Sequence, residues 1–492
     1  MKLDLKYIAI AIASSGLLVL AGCSKVLDKD PKTNVITVTD TAVSVSAATA
    51  NSLMSGVYTK YKGYDNGLEF NVFDRITNGD VRSDNCYAGG DNPDNITIDL
   101  FATNAVNNNV SRDWADGFAI IANANSAIDQ IARCTDPALS ATRKSQMLGE
   151  ARAIRAAVYF DLVRIYGKVP VMLVPPDQSN SENLIKSTLV AQSSVDSVYL
   201  TILNDLWYAR GTVSNVSDHP GDKFTVTKGI VNALLAKVYA AKSPTNWDSV
   251  AYYCDQTIPG YTLLPDYHQL WDNNHKNNSE AIWELNYAGY GAGDEIGNWV
   301  PSIFIGSGYK KFETPTNDLV NAFNSEGDTI RRNASITFVD YGWSDPYWKD
   351  PNNFPILTKY NDPNSGINDF YLIRLPDILL LRAEAYVAKG DVANAAILVN
   401  KVRSRVGLGA TPANTAADMT LAIEKERRLE LAFEGHRWFD LLRTGRAIPV
   451  MNAQKDGAGA PINYNVQAYE LLYPIPQTQL DLNPLLQQNT GY

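Results

Sequence analysis

Glu426-Arg427-Arg428-Leu429-Glu430-Leu431-Ala432-Phe433-Glu434-Gly435 runs on through His436-Arg437-Trp438-Phe439-Asp440-Leu441-Leu442-Arg443. Acidic and basic side chains alternate here with leucine, phenylalanine and tryptophan. Glu426, Glu430 and Glu434 stand at i, i+4 and i+8, a spacing that predicts one face of a helix. Arg427, Arg428, Arg437 and Arg443 are close by in sequence. Opposite charges among large apolar residues predict ion pairs inside a helix pack rather than a catalytic centre. His436 sits in Glu-Gly-His-Arg, which is not the His-Glu-x-x-His of a zinc protease. A Gly-x-Ser-x-Gly nucleophile elbow is missing from the sequence.

Upstream of this segment the helical period is clear. Pro376 opens a helix carrying Ile378, Leu381 and Ala385, and Gly390-Asp391 breaks it. A second helix follows with Ala395, Leu398, Val402 and Val406, closed by Gly407. Two helices joined at such a turn make an antiparallel pair. Further helices are predicted by Ala50/Leu53/Val57/Tyr61, by Trp114/Phe118/Ile121/Asn125/Ile128 and by Ile154/Val158/Leu162/Ile165, the last stopping at Gly167. Val198/Ile202/Leu206, Ile230/Leu234/Val238 and Trp247/Val250/Cys254/Ile258 continue the pattern, with Thr225 or Thr227 as N-cap of the second of these. The expected fold is mostly α: a tetratricopeptide-like scaffold of helical pairs. Between about 271 and 371 Gly, Asn, Asp and Pro become frequent and aromatics cluster. That stretch predicts a long loop-rich insertion of mixed structure carrying short strands. Loops on a rigid scaffold are where binding residues concentrate.

The amino end has a different character. Lys2 and Lys6 precede an apolar run, Tyr7 to Ala21, that is shorter than the roughly 20 residues a spanning helix needs. It ends in Leu20-Ala21-Gly22-Cys23. Residues 1–22 therefore read as a lipoprotein signal peptide, with Cys23 as the lipidated residue and 23–42 as a tether. Ser24 follows where an aspartate would favour inner-membrane retention.

The chain has 492 residues, is 45% hydrophobic and 20% charged, and carries a formal net charge of −10, which argues against nucleic acid as partner. Beyond Cys23 only Cys86, Cys134 and Cys254 remain, too few for a disulfide framework. With no C-x-x-C and four histidines, a structural zinc site is not expected, and no residue is assigned to a metal or cofactor. Tyrosines number 26 against 14 phenylalanines, a balance that suits wet binding faces as well as cores.

Taken in order, these segments resemble the SusD/RagB family of outer-membrane nutrient-binding lipoproteins of Bacteroidota. Leu53-Met54-Ser55-Gly56-Val57-Tyr58 is similar to the family's first helix. Glu150-Ala151-Arg152-Ala153-Ile154-Arg155-Ala156-Ala157-Val158-Tyr159-Phe160, with Tyr166-Gly167-Lys168-Val169-Pro170, resembles a family hallmark. So do Arg374-Leu375 to Ala383-Glu384-Ala385, Asn400 to Arg405, and the Glu426 segment. Tyr473-Pro474-Ile475-Pro476-Gln477, Asn483-Pro484 and Gln488 to Tyr492 match its end, with Thr490 where proline is more usual. The resemblance covers nearly all of the mature chain. It implies one domain over 43–492, with an N-terminal part of about 43–215 and a C-terminal part of about 275–492.

By that resemblance the protein is non-enzymatic. It would sit lipid-anchored on the outer membrane, facing outward. There it would capture oligosaccharides for a SusC-like TonB-dependent transporter. Peptide cargo, as in RagB-like relatives, is the alternative, and a glycoside hydrolase a more distant one. The ligand face would be built from a loop after the first helix and from the central loops. That assigns Arg82, Asp84, Asn85 and Tyr87 within Asp80–Asp91, and Tyr287, Tyr290, Trp299, Trp343 and Trp348 further on. Tryptophan and tyrosine rings cover the C–H face of a sugar, and polar neighbours bond its rim. Arg152 and Arg155 are expected to fasten neighbouring loops instead.

Overall fold

A computed structural model describes residues 45–63, 69–215, 221–291, 297–304 and 310–492. The signal segment, Cys23 and the tether lie outside the described residues. Within them the protein is mostly helical, as the periodicity predicts. The N-terminal half packs α1 (Ala47–Lys62), α2 (Asn108–Ala132), α3 (Ala141–Tyr166) and α4 (Val195–Thr212). Ser46, Asn107, Ser140 and Ser194 cap these helices, each side-chain oxygen accepting a backbone N–H of the first turn. Gly167, at φ 74°, ends α3 where the sequence predicts.

The scaffold continues through α5 (Lys228–Ala241) and α6 (Trp247–Thr257), then α7 (Leu375–Ala388), α8 (Val392–Arg405) and α9 (Ala416–Glu430). Thr227 holds the N-cap position of α5 without a side-chain cap bond. Leu379, Val399, Val402, Met419 and Ile423 fill a small separate core between α7, α8 and α9. Arg155 fastens a loop as expected: it bonds Asp205 at 2.8 Å through two nitrogens, Asn125 at 2.6 Å and the Leu173 carbonyl at 3.1 Å. Arg152 instead lies over the Tyr208 ring at 4.0 Å.

Three two-stranded antiparallel sheets occur among the described residues, built from the insertion and, in one case, a strand of the first loop. β1 (Cys86–Tyr87) pairs with β3 (Thr314–Pro315), Tyr87 opposite Thr314. β2 (Ala281–Leu285) pairs with β6 (Phe370–Arg374), and β4 (Ile336–Val339) with β5 (Phe354–Leu357). Cys86, Cys134 and Cys254 are buried free thiols.

The charged segment does form a buried network, with one departure from the periodic reading. α9 stops at Glu430, so Glu434 is not on its face. Phe433 and Gly435 adopt φ of 66° and 75°, which turns the chain away from the helix. Glu434 reaches the same cluster from that turn. Arg374 bonds Glu434 at 2.8 Å and Glu280 at 2.9 Å, and also bonds Glu430. Arg331 joins Glu426 at 2.6 Å and Glu430 at 2.9 Å, and Lys359 joins Glu434 at 2.6 Å. Here every carboxylate has cationic partners, which is the condition for burying charge at tolerable cost. α10 (Arg437–Arg443) follows directly. Burial depresses the His436 imidazole to about 3, so this ring is neutral at physiological pH.

Candidate functional site

The first loop departs from expectation. The stretch from Asp80 to Tyr87 is buried beneath the C-terminal segment instead of facing outward. The Arg82 guanidinium donates to the carbonyls of Glu470 and Leu472 and lies over Tyr473 at 4.3 Å and Trp438 at 4.7 Å. Asp84 accepts two bonds from Arg437, at 2.7 and 2.9 Å. Burial alone would raise the Asp84 carboxyl, but Arg428 and Arg437 outweigh it and hold the group at about 2. Asn85 bridges Asp80 and Arg428. Tyr87 donates to Asp345 at 2.6 Å and stacks on Tyr347 with centroids 3.9 Å apart. These four side chains tie the halves of the chain together. Most of their polar atoms are engaged inside the protein, although Arg82 Nε has no hydrogen-bond partner among the described residues.

Two central candidates are also interior. Tyr287 donates to the Lys62 carbonyl at 2.9 Å. The Trp348 indole donates to the Asn353 carbonyl at 2.7 Å, and its ring is buried. Trp299 is half-buried against Phe73, with centroids 5.9 Å apart.

Tyr290 and Trp343 are different: they are 51% and 40% exposed. Tyr290 is fixed by its backbone N–H to Ser365 at 2.9 Å, and its ring lies against Gly366, where a Cβ would stand 3.0 Å from Cζ. Trp343 belongs to a turn at Gly342 within the long loop joining β4 to β5. Gly342, at φ 68°, lets that turn fold back, and its N–H is held by Asp340 at 3.0 Å. Tyr341, on the other side of Gly342, stacks on Trp343 at 5.7 Å with planes only 10° apart. Phe354, the first residue of β5, lies 5.5 Å from Trp343. The result is a ring shelf with one outer face in solvent.

A run of contacts leads from the half-buried Trp299 to the shelf. Trp299 touches Phe73, Phe73 lies 6.3 Å from Phe312, and Phe312 follows Lys311, whose ammonium sits against the shelf. Tyr341, Phe354 and Lys311 are not among the sequence-derived candidates. Aromatic-Gly-aromatic at 341–343 is a signal that could have found Tyr341, whereas nothing local marks Lys311. Chemically the shelf can stack a flat apolar ligand face. Among the described residues no cluster of three His, Cys, Asp or Glu is arranged to hold a metal ion.

A helical-repeat scaffold bearing a loop-built aromatic face defines the class. Comparison with known proteins places the chain within it. Residues 345–492 match the SusD family model, and residues 25–240 match a model described as starch-binding associating with outer membrane. A SusD-like protein of Bacteroides ovatus is 25% identical over 91% of this chain and 84% of its own length. The solved structure of a laminarin-binding SusD-like protein superposes with a TM-score of 0.73 at 25% identity, covering 91% of this chain and all of that one. A SusD superfamily protein of Bacteroides vulgatus superposes with a TM-score of 0.76 at 22% identity, covering 90% and 99%. The chain belongs to the SusD family.

Proposed function

We propose that this protein captures oligosaccharides at the cell surface and passes them, without catalysis, to a SusC-like TonB-dependent transporter. The observation that carries the reading is the Tyr341–Trp343 shelf, a stacked ring pair with Trp343 exposed, in the loop between β4 and β5. A sugar's C–H face gains contact there while its hydroxyls stay wet, which suits capture followed by release. Tyr290 and Trp299 add further rings that are at least partly exposed. The similarity to a laminarin-binding relative supports glycan over peptide cargo.

No helix among the described residues is long and apolar enough to cross a membrane. The Leu20-Ala21-Gly22-Cys23 sequence supports a lipid anchor on the outer membrane. Cys23→Ser should move the protein from the membrane fraction to the soluble one, and unchanged membrane recovery would refute the anchor.

Isothermal titration against a panel of oligosaccharides tests the cargo. Trp343→Ala is expected to lower the affinity of the best ligand by about tenfold, as loss of a central aromatic anchor does. Binding of peptides in place of saccharides, or product release from any glycan, would overturn the reading. Co-purification in mild detergent should recover the transporter.

A further inference from the structure

Lys311 is 3% exposed, and its Nζ has no hydrogen-bond partner among the described residues. It stands 3.5 Å from the Tyr341 ring centroid, 4.0 Å from Trp343 and 4.3 Å from Phe354. Ring quadrupoles stabilise the charge. They leave three N–H donors without an acceptor among the described residues, and an unpaired buried cation is costly to keep. Asp345, which acts on this ammonium electrostatically, is already occupied: it accepts from the Tyr87 hydroxyl and the Trp348 N–H. Glu313, two residues on, is turned to the Cys86 thiol. Burial accordingly lowers Lys311 to about 8, with Asp345 opposing the shift only in part. Exposed Lys310 adds a second positive charge beside it.

We propose that Lys311 is the anchoring cation for an acidic oligosaccharide, one bearing carboxylate or sulfate groups, whose sugar ring lies on Trp343. The inference rests on the glycan-binding reading above and specifies its ligand class. In the free protein the rings stand in for the missing acceptor. When an acidic sugar settles on the shelf, the flexible lysine stem swings past the half-exposed Trp343 and the ammonium donates to the anionic oxygen. A neutral sugar would leave the donors unused. A cationic ligand would meet a cage already filled by a cation.

The test titrates the mature protein with three oligosaccharides of equal length: a neutral β-glucan, its sulfated form and a uronate. Lys311→Met keeps the stem against the rings and removes the charge. The wild type should bind the sulfated sugar, the uronate or both roughly tenfold or more tightly than the neutral one, as a charged hydrogen bond provides. Comparing the two acidic arms identifies the substituent. Lys311→Met should lose the preference and keep its neutral affinity. In the wild type, raising salt should erode the preference, a readout that does not depend on the variant folding. Equal affinity for neutral and acidic sugars, or a preference that survives in Lys311→Met or in high salt, overturns this inference and leaves glycan capture standing. Failure of all three sugars to bind overturns both.

Discussion

Arg374 reaches Glu280, Glu430 and Glu434 from the end of β6, with no part of its side chain in solvent. Arg374→Met would leave those carboxylates short of a cation. A loss of about 3–5 kcal/mol is expected in urea unfolding, since breaking a buried pair strands its partner. Asp99 makes a second prediction. It accepts from the Ala88 N–H and the Tyr464 hydroxyl, yet burial still pushes its carboxyl up to about 7. In the unfolded chain an aspartate titrates near about 4. The folded form thus holds a proton that the unfolded form releases, so stability falls as pH rises from about 4 to about 7. Asp99→Asn should flatten that decline, measured as Tm at pH 5 and pH 8; an unchanged difference would refute the assignment. Asp84 runs the other way: its contribution is present above about pH 4 and fades as pH falls toward 2. At this scale the charged network was legible, because opposite charges at helical spacing among apolar residues have few other fates. The exposed tryptophan was not. Trp343 and Trp348 lie five residues apart in an aperiodic loop, and the contacts that hold Trp348 inward, with Asn353, Asp345 and Phe338, follow no local period.

The Gly390-Asp391 turn joins α7 to α8, and Asp391 accepts from the Asn394 N–H at 3.1 Å. Asp391→Ala is expected to cost about 1 kcal/mol by loss of the cap, measured by chemical denaturation, with the ring shelf and its ligand affinity unaffected. Helices of this kind are readable because apolar period, cap and stop coincide at one place in the sequence. The end of α9 is not. The charge period continues to Glu434, but the turn at Phe433–Gly435 is held by Asp80, whose carboxylate accepts the Gly435 N–H from 355 residues away. The loop at 80–91 escaped local reading for the same reason. Its polar residues suit a surface, and contacts with Arg428, Arg437, Asp345 and the Glu470 and Leu472 carbonyls hold Arg82 to Tyr87 inside.

Across the described residues, those long-range bonds join the N-terminal and C-terminal halves of the chain. Tyr473 donates to Asn78 at 2.7 Å, and the Asn489 amide donates to the carbonyls of Tyr166 and Tyr473. Calorimetry should therefore show one transition, and residues 45–240 expressed alone should fail to give a protease-resistant fold. Two separate transitions would contradict a single cooperative unit. The three thiols bear on the same question. Cys86 lies in β1 within the joint between the halves, Cys134 just beyond α2, and Cys254 in α6 of the repeat scaffold. Each is sealed in the native state, so a thiol-reactive dye can mark one only while its surroundings stand open. The chain thus carries three built-in clocks. Equal labelling rates would time one global opening, and a faster Cys254 would time breathing of the scaffold ahead of the joint.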